Sequence, residues 1–252
     1  MSGPTFADPS ALALAALALL LGGVLKGATG AGSPVVAVPI LSLLYGVPFA
    51  VTIFVLPNLL TNLWQSWKYG RHMVRPRFAA AFAISGGVGA GVGSVMLAAL
   101  PAQALMLGVG AVVLLYIGFR LAKPSWQLSR FWGDRLVLPM GLLGGVMQGA
   151  GGISAPISVT FLNALRLERA VFIATISAFF AMMSLVQIPA LWSLGLLGPE
   201  RLGQSLIAVM LLFAGMPMGE ALAKRLSAQT FDRMMLALLT VISLRLIWTA
   251  VT

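Results

Sequence analysis

Residues 22–34 read GGVLKGATGAGSP, and residues 144–156 repeat much of that stretch as GGVMQGAGGISAP. Five of the first seven residues are identical in the two stretches. Each stretch lies within a long apolar run and ends in a proline. Because glycine destabilises a helix and proline removes a backbone donor, a helix is expected to break at both places.

The composition indicates a membrane protein. Sixty per cent of the 252 residues are hydrophobic and 9% are charged, whereas about a quarter of the residues in a soluble domain are charged. A soluble domain of this composition would have too little polar surface to cover its core. The net charge of +10 does not indicate nucleic-acid binding, because the basic residues lie in short clusters between apolar runs and form no stripe with interleaved aromatic residues.

The apolar runs are of two kinds. Two of them, 11–45 and 136–165, are cut by the glycine-rich stretches into limbs of about 9 to 16 residues, which are too short to cross a membrane. Each is either one long kinked helix or a re-entrant hairpin that enters and leaves on the same side. The others have about the 20 residues that a spanning helix requires. These spanning segments are 48–69, 78–99, 102–121, 170–191, 203–222 and 231–251.

The chain is interpreted as two repeats, 1–122 and 136–252, joined by a polar linker at 123–135 that is expected to be cytoplasmic. Each repeat consists of one interrupted run followed by three spanning segments. Paired segments interrupted by glycine and proline are typical of secondary transporters, and they indicate where the substrate binds.

The distribution of lysine and arginine favours the re-entrant alternative. If both interrupted runs crossed, the basic loop residues would divide 9 to 5 between the two sides of the membrane; if both are re-entrant, they divide 13 to 1, with Arg201 alone on one side. Positive loops are cytoplasmic, so both termini are expected outside. A hairpin and three crossings make an odd number of passages. The second repeat is therefore predicted to be inverted, with the two hairpin tips approaching the midplane from opposite faces.

The two breaks form the candidate anion site. A helix that begins inside a membrane presents unpaired N–H groups and the positive end of its dipole, while glycine allows close approach to the backbone and hydroxyl groups add donors. The alternative is that the glycines only allow helices to pack closely. The candidate binding residues at the breaks are Gly27, Thr29, Gly30, Gly32, Ser33, Gly149, Gly151, Gly152 and Ser154.

Lys26 is the strongest single candidate for substrate binding. It follows roughly fifteen apolar residues, and a cation inside a membrane is costly and commonly functional. No acidic residue lies deep within the apolar segments, so a bound anion is the expected counter-charge. In the alternative interpretation, Lys26 reaches water or backbone carbonyls near a hairpin tip. Its counterpart in the second repeat is Gln148, a further candidate binding residue.

Other polar residues lie on the spanning segments. Asn58 and Asn62 are one helical turn apart and share a face, while Thr175 and Ser177 occupy the corresponding stretch of the second repeat. Asn58, Asn62 and Ser177 are candidate binding residues, with hydrogen bonding between helices as the alternative. Arg245, near the end of the last segment, is expected to extend outward to the membrane surface.

The residue types exclude several chemistries. The chain has no cysteine and a single histidine, His72, so no metal site is expected and no cofactor is predicted. No Walker A sequence is present, so the chain does not itself use ATP. A serine hydrolase built on Ser33 lacks a base, because His72 lies in a loop among arginines. No enzymatic activity is predicted, and an anion channel with the hairpin tips as its filter is the other alternative to a transporter.

These residues resemble the TauE/SafE sulfite exporter family, also called the four-toluene-sulfonate uptake permeases. The resemblance covers nearly the whole chain and lies in residues 23–32, in Pro39, Pro57, Asn58 and Asn62, and in a weaker echo at 145–152. One departure is Ala31, where the family's first motif often carries an aromatic residue; the smaller side chain is expected to widen the site.

The resemblance implies a secondary transporter, and more specifically an exporter, of sulfite, sulfoacetate, other sulfonates or organic anions. It also implies a multi-pass protein of the bacterial inner membrane, with the glycine-rich segments at the substrate site. The expected partners are a small anion and the lipid bilayer, with a second copy of the chain as a further candidate.

Overall fold

The computed structural model describes residues 8–123 and 126–222, together with 240, 241, 244, 245 and 247–249. These residues form helices and connecting turns, with no β-strand among them. The helices are α1 Pro9–Thr29, α2 Ser33–Tyr45, α3 Val47–Tyr69, α4 Pro76–Ala99, α5 Ala102–Ala122, α6 Arg130–Gly151, α7 Ala155–Ala164, α8 Arg169–Ser193 and α9 Pro199–Leu222, with a short 3-10 turn, Gly70–His72, after α3.

Six helices in the described ranges are long and apolar enough to cross a membrane, namely α1, α3, α4, α5, α8 and α9. The predicted all-helical membrane architecture is therefore confirmed. Five of the predicted spanning segments lie on α3, α4, α5, α8 and α9. The sixth, 231–251, falls mostly outside the described residues.

The first limb of each interrupted run is longer than the sequence analysis predicted. α1 has 21 residues and α6 has 22, and a helix of this length is about 30 Å long, enough to cross. The extra residues of α1 are Pro9 and Ser10 before the apolar run and 27–29 of the glycine stretch; those of α6 are 130–135 and 149–151. At the start of α1, Asp8 accepts a hydrogen bond from the backbone N–H of Ser10 at 2.9 Å, and Pro9 occupies the first turn, both favourable at a helix N-terminus. α6 begins at Arg130, within the predicted linker.

α1 and α2 form a helical hairpin. α1 ends where Gly30 adopts a left-handed conformation with φ 85°, and the Gly30 N–H donates to the Lys26 carbonyl at 2.7 Å. Only glycine adopts this conformation without strain. α2 then folds back along α1, since a methyl group at Gly22 would lie 3.3 Å from the Cβ of Ala37.

α6 and α7 repeat this hairpin in the second half of the chain. Gly152 has φ 72°, and its N–H donates to the Gln148 carbonyl at 2.8 Å. A methyl group at Gly144 would lie 3.6 Å from the Cβ of Ser158, so α7 also folds back along the helix before it.

α3 and α8 form an antiparallel pair at the centre of the bundle. The side-chain amide of Asn58 in α3 donates to the Ser184 hydroxyl of α8 at 3.0 Å, and the Ser177 hydroxyl of α8 donates to the side-chain oxygen Oε1 of Gln65 at 3.2 Å. Because the residue numbers rise along α3 and fall along α8 between these two contacts, the helices run in opposite directions. All four side chains are buried, so the centre of this pair is polar although its surroundings are apolar.

Glycines allow the backbone of α1 to pack very closely against α9, and that of α4 against α6. Gly27 of α1 faces the backbone of Met216 in α9, and Gly149 of α6 faces the backbone of Ala90 in α4. A methyl group at either glycine would collide with a carbonyl oxygen, so these contacts are the small-residue packing of membrane helices. The same is true of Gly23, Gly215 and Gly219 between α1 and α9, and of Gly89, Gly93 and Gly145 between α4 and α6.

Candidate functional site

Lys26 lies in the last turn of α1, with 1% of its surface exposed. Its Nζ donates a hydrogen bond to Oδ1 of Asn62 in α3 at 2.8 Å. Its Nζ also lies 5.9 Å from the centre of the Phe180 ring in α8, a distance at which a cation and an aromatic face attract each other. The ammonium group thus points into the space between α3 and α8, not towards a membrane surface.

No carboxylate in the described part of the chain pairs with Lys26. The ion pairs found there join Lys68 to Glu220 and Arg75 to Asp134, and all four side chains are partly exposed. An amide oxygen offers Lys26 a partial charge only, so the full positive charge is not compensated by the protein. Because a buried and uncompensated charge is costly, this site is electrostatically complementary to a small anion.

A chain of hydrogen bonds continues from Lys26 across the central pair. Asn62 Nδ2 donates to the backbone carbonyl of Asn58 at 2.6 Å and to its Oδ1 at 2.9 Å. Asn58 Nδ2 in turn donates to the Ser184 hydroxyl at 3.0 Å. Asn58 and Asn62 are held on one face by the helical turn between them, so one amide orients the other. We call Lys26, Asn62, Asn58 and Ser184 the central polar chain.

Pro57 lies beside this chain and alters the backbone of α3. Proline has no N–H, so the carbonyl of Ile53, four residues earlier, loses its helical partner. The Ser205 hydroxyl of α9 donates to this carbonyl at 2.7 Å, and Ser205 is fully buried. The sequence therefore allows a kink in α3 next to Asn58 without leaving a backbone oxygen unpaired.

Two glutamines and a serine extend the polar surface along α3 and α8. Ser177 bonds to Gln65 at 3.2 Å, and Gln187 Nε2 lies 3.5 Å from the backbone carbonyl of Gln148. The Oε1 atom of Gln148 is buried and accepts no hydrogen bond from the described residues. In the second repeat, where Gln148 is the counterpart of Lys26, a buried side-chain oxygen is thus free to accept a hydrogen bond.

The structure brings together Lys26, Asn58 and Asn62, and it places Ser177 on the same helix pair. The sequence analysis did not identify Gln65, Ser184 or Gln187. A signal was present, since the offset of 122 that relates Gly22 to Gly144 also relates Asn62 to Ser184 and Gln65 to Gln187. Thr175, by contrast, donates to the Val171 carbonyl of its own helix at 2.8 Å.

The structure does not bring the two glycine turns together, whereas the sequence analysis expected both hairpin tips to approach the midplane. Gly30 packs against Ile173, near the start of α8, and Arg169, the first residue of α8, donates to the Ala28 carbonyl at 3.0 Å. Gly152 packs against Val51, near the start of α3. Because α3 and α8 are antiparallel, the turns lie at opposite ends of the pair, roughly 18 residues or about 27 Å apart. The cause is the full length of α1 and α6.

The other residues of the breaks make mainly local contacts. Thr29 donates to the Leu25 carbonyl of α1 at 2.9 Å, and Ser154 contacts the Ser158 hydroxyl at 3.1 Å. The Ser33 hydroxyl is buried and has no hydrogen-bond partner among the described residues. Gly27 and Gly149 serve the packing of α1 on α9 and of α6 on α4. Of the remaining break glycines, Gly32 lies against Leu25 and Gly151 lies against Val109 of α5.

The buried Lys26 and the central polar chain lie among helices that are long and apolar enough to cross a membrane. Residues 14–246 match the family "Sulfite exporter TauE/SafE", so the chain belongs to that family. It is a multi-pass membrane protein of a transporter family and not an enzyme. No curated protein and no solved structure matches the chain.

Arg245, the other basic residue expected within an apolar segment, is exposed.

Proposed function

We propose that this protein is a secondary transporter that exports small sulfur-containing or organic anions, such as sulfite, sulfoacetate or other sulfonates, across the bacterial inner membrane. The observation that carries the proposal is the Lys26 ammonium group, which is buried and, among the described residues, contacts the neutral Asn62 amide and the Phe180 ring but no carboxylate. Membership of the TauE/SafE family supports the substrate class.

The central polar chain supplies the groups that an oxyanion requires. The ammonium group has three N–H donors, of which one is used by Asn62. Neighbouring amide and hydroxyl groups of Asn58 and Ser184 can donate as well as accept. Sulfite and sulfonate carry three oxygens around one sulfur, so a charged donor flanked by neutral donors suits them, and hydrogen bonds to a charged group are the stronger kind.

The second part of the proposal is that the two repeats are inverted. An offset of 122 carries the starts of α1, α2, α3 and α4 to within one residue of the starts of α6, α7, α8 and α9. α3 and α8 correspond under this offset and run antiparallel. The packing of α1 on α9 is also the counterpart of the packing of α6 on α4. These relationships support repeats of opposite orientation, as in other secondary transporters.

Each interrupted segment is proposed to be a re-entrant hairpin. α2 folds back along α1, and α7 along α6, which supports hairpins that begin and end on the same side. The basic residues then collect on one side, which the positive-inside rule makes cytoplasmic. Both termini are therefore proposed to be outside the cell.

The transport mechanism is proposed to be alternating access around the central polar chain. Lys26 and Asn62 are closed to solvent in this conformation. The Gly30 turn lies towards one end of the α3–α8 pair and the Gly152 turn towards the other, so movement of one hairpin would open one side only. The glycine turns then act at the two entrances, and Lys26 with its hydrogen-bonded neighbours binds the anion between them.

The test is transport of radiolabelled sulfite into proteoliposomes by the native protein, Lys26→Ala and Lys68→Ala. Lys68 is the matched control, because it is a lysine at the exposed end of α3 with its own carboxylate partner. We expect saturable uptake and counterflow with the native protein and the control, and neither with Lys26→Ala. Uptake by a folded Lys26→Ala protein would refute the role of Lys26. Flux that does not saturate and shows no counterflow would indicate a channel.

A further inference from the structure

A second polar pocket lies far from the central polar chain, between the end of α5, the linker that follows it and α7. It contains three basic residues, and no carboxylate is among the residues that line it. Its charged members are Arg120, Lys123 and Arg166, and its other members are Phe119, Trp126, Thr160, Asn163 and Ala164. The sequence analysis treated these basic residues only as part of the positive loops.

Two contacts hold the linker against the helices on either side of this pocket. The N–H of Leu128 in the linker donates to the Ala164 carbonyl at the end of α7 at 2.8 Å, which ties the linker to that helix. The Phe119 and Trp126 rings meet edge to face with their centres 5.3 Å apart, which ties the same linker to α5. The three basic side chains therefore converge on one structured pocket and are not merely neighbours in the sequence.

Arg166 adopts an unusual backbone conformation at the pocket. Its φ is 52°, and no other described residue apart from glycines has a positive φ. A long side chain rarely adopts this left-handed conformation, which tends to persist where the surroundings require it. Here it places Arg166 after α7, beside the pocket that it shares with Arg120 and Lys123.

The pocket adjoins an apolar surface that faces outward from the helix bundle. On α5, Leu115 and Leu121 are 72% and 66% exposed, and Leu121 directly follows Arg120 in the sequence. A ligand with its anionic group among the basic residues could therefore lay an apolar part along α5. Basic pockets next to spanning helices commonly hold phosphate-containing lipid headgroups.

We propose that this pocket binds a phosphate group, carried either by an anionic phospholipid or by a soluble phosphate compound. The Arg166 guanidinium can form paired hydrogen bonds to phosphate oxygens, and Arg120 and Lys123 add two further positive charges. Thr160 and Asn163 provide neutral donors on the α7 side. The site lies outside the transport pathway proposed above, because Lys26 lies between α1, α3 and α8.

The test compares lipid binding to the purified full-length protein by native mass spectrometry, with melting curves in detergent as the second measurement. The probes are phosphatidylglycerol, phosphatidylcholine and inorganic phosphate. The pocket variant combines Arg120→Gln, Lys123→Gln and Arg166→Asn, since asparagine tolerates the left-handed conformation. The control variant removes the same charge elsewhere by Arg71→Gln, Arg77→Gln and Arg130→Gln.

We expect phosphatidylglycerol to bind and stabilise the native protein and the control variant. The pocket variant should bind it more weakly by roughly a hundredfold, because each basic residue contributes a factor of about five. Inorganic phosphate that stabilises the native protein and not the pocket variant would identify a soluble phosphate compound as the ligand. Equal binding to all three proteins, or equal binding of phosphatidylglycerol and phosphatidylcholine, would overturn the proposal.

A second variant keeps the test valid if the triple variant does not fold. Asn163→Asp introduces one negative charge at an exposed position of the same pocket. It should weaken binding of phosphatidylglycerol while the melting temperature in phosphatidylcholine stays unchanged. Unchanged phosphatidylglycerol binding by this variant would also count against the site.

Discussion

The Nζ atom of Lys26 lies 2.8 Å from Oδ1 of Asn62, and neither side chain is accessible to solvent. The partner of this buried cation is an amide and not a carboxylate. An aspartate at position 62 would have almost the same shape and would neutralise Lys26 permanently. The protein instead has a neutral residue there, which leaves the charge of Lys26 available to an anion.

The first prediction is that Asn62→Asp abolishes sulfite transport in a protein that still folds, with a lower melting temperature because aspartate cannot donate to the Asn58 oxygens. The new carboxylate would satisfy Lys26 and repel the anionic substrate, since an opposite charge supplied by the protein competes with one supplied by the ligand. Proteoliposome uptake should fall to the level of empty vesicles, and sulfite should no longer raise the melting temperature. Gln127→Glu, an amide-to-acid change at an exposed linker position, is the matched control. Sulfite uptake by Asn62→Asp at the native rate would show that Lys26 is not the anion's counter-charge.

The second prediction concerns the glycines that join helices. Gly27→Ala and Gly149→Ala should each lower stability by about 1–3 kcal/mol, the usual cost of overpacking, because the added methyl group would collide with a backbone carbonyl. The apparent affinity of the remaining folded protein for sulfite should be unchanged. Melting temperature and sulfite titration of the purified variants measure the two effects separately.

Gly108→Ala is the control for these substitutions. Gly108 is also helical, but a methyl group there would have no neighbour within 4 Å, so this variant should be as stable as the native protein. If Gly27→Ala kept its stability and lost sulfite affinity, Gly27 would belong to the binding site and not to the helix interface.

These glycines show what the sequence could and could not predict. Glycines four residues apart are typical of close helix packing and also occur where a backbone approaches a ligand, so the pattern alone does not decide between the two. The decisive fact is which neighbour faces the glycine, and that depends on how α1 meets α9. Lys26 and Asn62 could be identified because a cation and an amide inside apolar helices need a polar partner whatever the packing.

The separation of the two glycine turns could not be predicted for a different reason. Counting only apolar residues made the first limb of each interrupted run appear too short to cross. Pro9 and Ser10 at the start of α1, residues 130–135 at the start of α6, and the first residues of each glycine stretch were not counted in these limbs, yet all of them are helical. With these residues included, each turn lies near the far end of the bundle. Gln65 and Gln187 were missed because Asn58 and Asn62 were compared with Thr175 and Ser177, whereas the offset of 122 pairs Asn62 with Ser184 and Gln65 with Gln187.

The third prediction tests the proposed topology with single cysteines, which is convenient because the native chain has none. Arg71→Cys lies after α3 and Ser193→Cys at the end of α8, and both positions are exposed. With re-entrant hairpins, these positions lie on opposite sides of the membrane, and the positive-inside rule makes residue 71 cytoplasmic. In intact cells, a membrane-impermeant thiol reagent should label Ser193→Cys only, and disrupted cells should allow labelling of both. Labelling of Arg71→Cys in intact cells would rule out this topology.

The fourth prediction concerns the hydrogen bond from the Ser205 hydroxyl to the Ile53 carbonyl in α3. Ser205→Ala should lower stability by about 1–3 kcal/mol, because the Ile53 carbonyl would be left buried without a donor. Ser193→Ala, which removes an exposed serine, should change the melting temperature little.

Pro57→Ala provides the means to separate this effect from lost packing. An alanine at position 57 restores the N–H that the Ile53 carbonyl lacks, so Ser205→Ala should be much less destabilising in that background. A double-mutant cycle measured by melting temperature gives the coupling between the two positions. Equal costs of Ser205→Ala in both backgrounds would mean that Ser205 does not substitute for the donor that proline removes.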